Sequence, residues 1–338
     1  MIFQNIELYN VSEIEKNPDG EGYIMYRAPK AVSEHLGAQG QRLNKGGTGV
    51  ELRFEITGEA GADIDIRINS ADPAPSARVI PVYYGSMGAP WQEALKVVFT
   101  EKTRIHVAPP ANMPLLERIH RENGYPFDPH VVRLLLPVSS YEIFGARGAI
   151  CPPRPEHLPE KRLMIYGSSI THGSLSLLPP GSYAFRTAEA LNMDLINMGY
   201  AGSARMEGAM ADWLAARGDW DIAVLEMGIN ALDMSEEEFS ARVHYFVRTV
   251  VQKNPGKPVF CIDIFYYQGD MDGSEKADAF RRIVRAAARE YGAFAIDGRD
   301  IQTLGSAGLS GDFTHPNIRG HEVMAANLAR IIREALGA

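Results

Sequence analysis

The chain has 338 residues, more than one typical core holds, and 45% hydrophobic against 22% charged residues excludes a disordered or fibrous protein, so two globular domains are expected. Net charge is -8 with the basic residues scattered, which excludes a polyanion-binding face and predicts no nucleic acid partner. No stretch approaches the roughly 20 apolar residues of a bilayer span, and "MIFQNIELYN" lacks the basic and apolar regions of a signal peptide, so neither a membrane partner nor export is expected.

From the N-terminus the dominant signal is period two. "GVELRFEI" places Val50, Leu52, Phe54 and Ile56 on one face and Glu51, Arg53 and Glu55 on the other, and "ADIDIRIN" aligns Ile64, Ile66 and Ile68. The runs "VIPVYYG", "KVVF", "RIHVAP" and "VVRLLLPV" follow, separated by Gly, Pro and Asp clusters, so residues 1–150 are expected to form an antiparallel β-sandwich. One exception is "MPLLERIHREN" at 113–123, whose pattern predicts a short helix. Four prolines in "CPPRPEHLPEKR" mark residues 151–162 as an extended linker.

Beyond the linker, residues 163–338 alternate apolar strands with amphipathic helices. The strands are expected in "RLMIYG", "DLINMG", "DIAVLEMG", "PVFCIDIF" and "AFAID", and the helices over about 182–192, 206–217, 235–253, 274–292 and 319–336, the third opening on a Ser235 and Glu238 capping box. This alternation predicts an α/β domain with a parallel sheet, helices on both faces, and a site beyond the carboxyl ends of the strands. "QGDMDGSE" lacks the completion of a calcium loop and reads as a solvated loop. Cys151 and Cys261 show no metal-ligand spacing and read as unpaired apolar filler, which points to a reduced, cytoplasmic protein.

"YGSSITHG" at 166–173 sets Ser168 and Ser169 just past the first parallel strand. A serine there needs a base and oxyanion donors before it is a nucleophile. "GDFTHPNIRG" supplies Asp312 three residues before His315, close enough for the carboxylate to hold one imidazole nitrogen and leave the other free as a base. Candidate donors are the backbone N–H groups of Ser169 and of Gly202 in "NMGYAGSA", and the side-chain amide of Asn230 in "EMGINALD". Taken singly, Gly202 is equally a turn glycine and Asn230 a strand-end cap.

In their order these four blocks resemble an SGNH (GDSL-type) hydrolase: "GSSI" matches the nucleophile block, "MGYAG" the glycine block, "GIN" the asparagine block and "DFTH" the Asp-x-x-His block. The resemblance covers residues 160–338. It implies a flavodoxin-like three-layer fold, with Ser169 as nucleophile, His315 as base, Asp312 as its orienting partner, and Ser169, Gly202 and Asn230 as the oxyanion hole. The family usually has Asp where this chain has Ser168 and Ala231, a change expected to affect the bracing of loops more than chemistry.

An N-terminal sandwich ahead of such a domain is similar to family-two carbohydrate esterases, whose first domain is a jelly roll. The resemblance implies a serine esterase acting on short acyl, above all acetyl, esters of sugars or oligosaccharides. An acyltransferase of the same fold and a carbohydrate-binding protein without activity are the alternatives. His172, Tyr266 and Tyr267 are candidate substrate contacts, each equally open to a structural role, and His321 reads as a helix-surface or capping group. With no Walker loop, dinucleotide fingerprint or zincin helix, no cofactor and no metal are expected, and a homo-oligomer is left open.

Overall fold

Two antiparallel sheets form when the apolar faces of the N-terminal strands cover one another. The computed structural model describes residues 1–18, 20–69 and 76–337, and the chain divides into two compact units: Met1–Lys30 with Arg42–Glu160, and Ala31–Gln41 with Lys161–Ala338. In the first unit Glu51–Ile56 pairs with Ile6–Tyr9 on one side and Val131–Leu135 on the other, and the latter pairs with Arg78–Tyr84. The second sheet orders Thr103–Val107, Ala62–Ile68, Tyr141–Gly148, Tyr23–Tyr26 and Glu13–Lys16. Leu52, Phe54, Ile64, Ile66, Val82, Leu134 and Ile143, drawn from both sheets, share one buried cluster, the core of a sandwich. Met113–Asn123 is helical, and Gly124 ends it in the left-handed conformation.

The polar face of Glu51–Ile56 is not a solvated one. Glu51, Arg53 and Glu55 are all buried. Arg133 grips Glu51 through two hydrogen bonds of 2.7 Å, Arg53 adds a third at 2.8 Å, and the two guanidiniums lie over the rings of Phe127 and Tyr9. Glu55 accepts hydrogen bonds from the Arg154 backbone and side chain and pairs with His157, so the proline-rich stretch is docked onto this strand at Arg154 and His157 and belongs to the first unit as far as Glu160.

The second unit is a five-stranded parallel sheet: β1 (Arg162–Gly167), β2 (Asp194–Gly199), β3 (Ile222–Glu226), β4 (Val259–Ile262) and β5 (Phe294–Ile296), in spatial order 2-1-3-4-5. Every residue of β2, β3 and β4 is buried, as expected of strands covered on both faces. Helices Gly208–Arg217, Glu236–Lys253 and Glu275–Tyr291 pack side by side, and Tyr183–Ala190 packs against Ile318–Leu336. Ser182, Ser235, Ser274 and Asn317 cap four of these helices by accepting an N–H of the first turn. Only the serine half of the expected capping box forms, because the Glu238 carboxylate pairs with Arg242 instead.

Two further expectations change. "QGDMDGSE" is a helical turn, Gln268–Asp272, followed by the cap of the next helix, with Asp270 held by Arg281 at 2.7 Å. His321 does not lie on the surface: it is fully buried in Ile318–Leu336. Its Nδ1 accepts the Tyr183 N–H, an orphan donor at a helix start, and its Nε2 donates to the Ser174 carbonyl, both at 3.2 Å. Cys261 is buried in β4 and Cys151 pairs with Glu55 at a strand edge, neither in a disulfide. Among the described residues no helix is long and apolar enough to cross a membrane.

Candidate active site

A 2-1-3-4-5 sheet reverses its winding beside β1, and ligands of such sheets bind beyond the carboxyl ends of the strands at that reversal. Ser168 and Ser169 lie there. Ser168 is buried and caps a four-residue helix, Ser169–His172, by accepting the Ile170 N–H at 3.2 Å. Ser169 opens that helix and remains partly exposed.

Behind the two serines stands Glu226, the last residue of β3, which is buried and accepts hydrogen bonds from the Ser168 N–H and the Thr171 hydroxyl. Burial pushes its carboxyl above the usual range, and the bonds from Ser168 and Thr171 oppose that. Thr171 also meets the buried Tyr183 hydroxyl at 2.6 Å. A Cβ on Gly167 would fall 2.2 Å from Glu226 Oε2, so the backbone approaches the carboxylate as closely as only glycine allows. Sequence patterning did not single out Glu226. The available signal was a lone carboxylate inside the apolar run "IAVLEMG", since a buried charge requires partners.

From the other end of the chain comes a tight loop. Asp312 Oδ1 accepts from the Ser310 hydroxyl at 2.7 Å and from the N–H groups of His315 and Thr314 at 2.9 and 3.0 Å, while Oδ2 lies 2.6 Å from His315 Nδ1. His315 Nε2 lies 2.7 Å from Ser169 Oγ. Partial burial would raise the Asp312 carboxyl, but the His315 N–H, the imidazole, the Thr314 N–H and the Ser310 hydroxyl hold it far below the usual carboxylate range. An ionised Asp312 fixes the proton on Nδ1, which leaves Nε2 as the acceptor facing the serine hydroxyl. Such a chain can draw the hydroxyl proton toward the imidazole as the oxygen attacks a carbonyl.

Gly202 follows β2 with φ 64, and Asn230 lies in a short turn after β3. Asn230 Oδ1 accepts the Ala204 N–H at 3.2 Å, and its backbone carbonyl accepts from Arg205, which also forms two bonds to Asp233. With Oδ1 engaged, the amide nitrogen is directed elsewhere. Among the described residues the Ser169 N–H, the Gly202 N–H and Asn230 Nδ2 make no hydrogen bond.

His172, Tyr266 and Tyr267 take no part in the Ser169, His315 and Asp312 chain. His172 is buried, with Nδ1 bonded to the Gly199 carbonyl at 2.9 Å. Tyr266 lies half-buried near Gly305, and Tyr267 folds back over Gly269. Among the described residues no group of three or more His, Cys, Asp or Glu is arranged to hold a metal ion.

Residues 165–323 match the GDSL-like lipase/acylhydrolase family. Similar solved structures include a salicylyl-acyltransferase from a tetracycline biosynthetic pathway, 18% identical at a TM-score of 0.77 over 99% of this chain and 95% of that one. A putative GDSL-like lipase from Bacteroides ovatus is 19% identical at 0.66 over 98% of each chain. An acetyl xylan esterase from the rumen bacterium Butyrivibrio proteoclasticus is 12% identical at 0.59 over 100% of this chain and 97% of its own. At these identities the likeness is one of fold, and it extends over both units. No curated protein sequence matches the chain.

Proposed function

We propose that the chain, whose residues 165–323 match the GDSL-like lipase/acylhydrolase family, is a serine esterase that removes short acyl groups, acetyl above all, from O-acetylated sugars or oligosaccharides. The observation that carries this reading is the hydrogen-bonded chain from Ser169 Oγ through His315 to Asp312, at 2.7 and 2.6 Å.

Ser169 Oγ attacks the ester carbonyl while its proton passes to His315 Nε2. The carbonyl oxygen becomes an anion held by the N–H groups of Ser169 and Gly202 and by Asn230 Nδ2. Collapse breaks the bond to the alkoxy oxygen, which leaves with the proton from His315, and an acyl-serine remains. Water, deprotonated by the same imidazole, attacks the acyl-serine, and collapse breaks the acyl–Oγ bond, returns the proton from His315 to Ser169 Oγ and releases the carboxylic acid. Asp312 stays ionised throughout and stabilises the transient imidazolium. The sugar portion of the substrate is supported by the full-length likeness to an acetyl xylan esterase.

Acyl transfer is a second reading, favoured by the higher TM-score of the salicylyl-acyltransferase over both units. In it an acceptor alcohol takes the place of water in the second half-reaction. The test is hydrolysis of p-nitrophenyl acetate, butyrate and octanoate, and of acetylated xylo-oligosaccharides, with products resolved in the presence of candidate sugar acceptors. Release of p-nitrophenol that declines with acyl length, together with acetate freed from the oligosaccharides, supports the esterase. Acylated acceptor in place of free acid supports transfer, and good cleavage of octanoate with no action on sugar acetates defeats the sugar-ester reading. Sugar binding that survives Ser169→Ala in a parent without activity would mark a binding protein.

A further inference from the structure

Residues 31–41 lie far upstream in the sequence yet pack as part of the second unit. Leu36 and Gly40 are buried, and a side chain on Gly40 would press on Leu36 and come 3.5 Å from Ser203 Cβ. So anchored, the segment sets the exposed Gln39 beside Ala201. Its Nε2 donates to the Ala201 carbonyl at 2.7 Å and stands 2.9 Å from where a Cβ on Gly202 would lie.

The Ala201 carbonyl and the Gly202 N–H are the two ends of one peptide group. In a trans peptide they point in opposite directions, so whatever fixes the oxygen also fixes the hydrogen. This peptide is the middle one of a β-turn, closed by the Ser203 N–H donating to the Tyr200 carbonyl at 2.9 Å. Gly202 has φ 64 while Ala201 lies outside the positive region, which is the signature of a type II turn. Type I differs chiefly by rotation of that middle peptide, which would reverse the direction of the Gly202 N–H.

We infer that Gln39 is a positioning residue of the reaction: its amide clamps the Ala201 to Gly202 peptide in the orientation that presents the Gly202 N–H to the oxyanion. The inference rests on the proposed role of Gly202. It also assigns a function to a segment remote in sequence from all four motif blocks.

The test compares Gln39→Met and Gln39→Glu, which keep the length of the side chain and remove the donor, with Gln39→Lys, which restores one. Gln39 is exposed, so the fold is not at stake, and melting temperatures are measured alongside. In the first two variants kcat for p-nitrophenyl acetate should fall about three- to tenfold, the size of a net hydrogen bond, with KM within a factor of about two. Affinity for a trifluoromethyl ketone, whose serine adduct carries the oxyanion, should fall in parallel, and Gln39→Lys should recover part of both losses. Unchanged kcat and ketone affinity in Gln39→Met, with Ser169→Ala inactive, would overturn the inference and leave the esterase reading standing. So would a change in KM alone, which marks a substrate contact. A parent whose hydrolysis is the same in Ser169→Ala would remove the esterase reading, and the inference with it.

Discussion

At the scale of single residues, the site pairs two carboxylates whose surroundings push them in opposite directions. Asp312 is gripped by four donors and stays ionised, whereas Glu226 is buried behind the serines with its carboxyl raised. Asp312→Asn keeps the shape but removes the charge that fixes the imidazole proton, so turnover should fall by about 10³-fold or more. Steady-state kinetics with p-nitrophenyl acetate checks this, and a loss below about tenfold would show that Asp312 does not orient the base. Glu226→Ala leaves the Ser168 N–H without an acceptor and the Thr171 hydroxyl with only the Tyr183 oxygen to receive it. The cost should be about 1–3 kcal/mol of stability, the penalty of a buried donor left unpaired. Urea unfolding at constant m measures it. The four motif blocks were legible because reacting groups must be particular residue types at strand ends. Glu226 was harder to see, because its work is done by acceptance from a backbone N–H, which leaves no partner motif in the sequence.

At the scale of elements, His321 ties Ile318–Leu336 to the start of Tyr183–Ala190 and to the loop that follows Ser169–His172. Burial lowers its imidazole from the ordinary 6.5 to about 4, so the folded protein keeps it neutral where the unfolded chain would protonate it. Between these values the unfolded state binds more protons. Stability from this residue is therefore complete above about pH 6.5 and is lost as pH falls toward 4, by up to about 3 kcal/mol. The difference in unfolding free energy between parent and His321→Gln, followed from pH 7 to 4, should narrow by about that amount, and a pH-independent difference would contradict it. Element positions were largely legible: the helix at Met113–Asn123 and the five parallel strands follow from apolar periodicity and serine caps. The burial of His321 was not legible, because which helix face meets a neighbour depends on pairing across the domain rather than on spacing along the chain.

At the scale of the whole molecule, period two correctly separated the apolar face of Glu51–Ile56 from the polar one but could not tell that both would be covered. Burial raises the Glu51 carboxyl, and Arg133 and Arg53 more than reverse that and hold it low. An ion cluster of this kind is weak evidence for net stability, yet removing one member strands the others. Glu51→Ala should therefore lower the stability of the first unit by about 3–5 kcal/mol, read by calorimetry. A shift under about 1 kcal/mol would show the arginines to be satisfied by other groups. The segment 31–41 is the clearest limit on reading the chain in order. Nothing in its composition assigns it to the second unit, and only tertiary packing brings Gln39 to the Ala201 carbonyl.

The most direct test of the central claim is to quench the protein during turnover of p-nitrophenyl acetate and locate acetyl groups by peptide mass spectrometry, in the parent and in Ser169→Ala. The account predicts one acetyl group on Ser169, none on the neighbouring Ser168, and none in the variant. Equal release of p-nitrophenol by both proteins, with Ser169 unmodified, would contradict it.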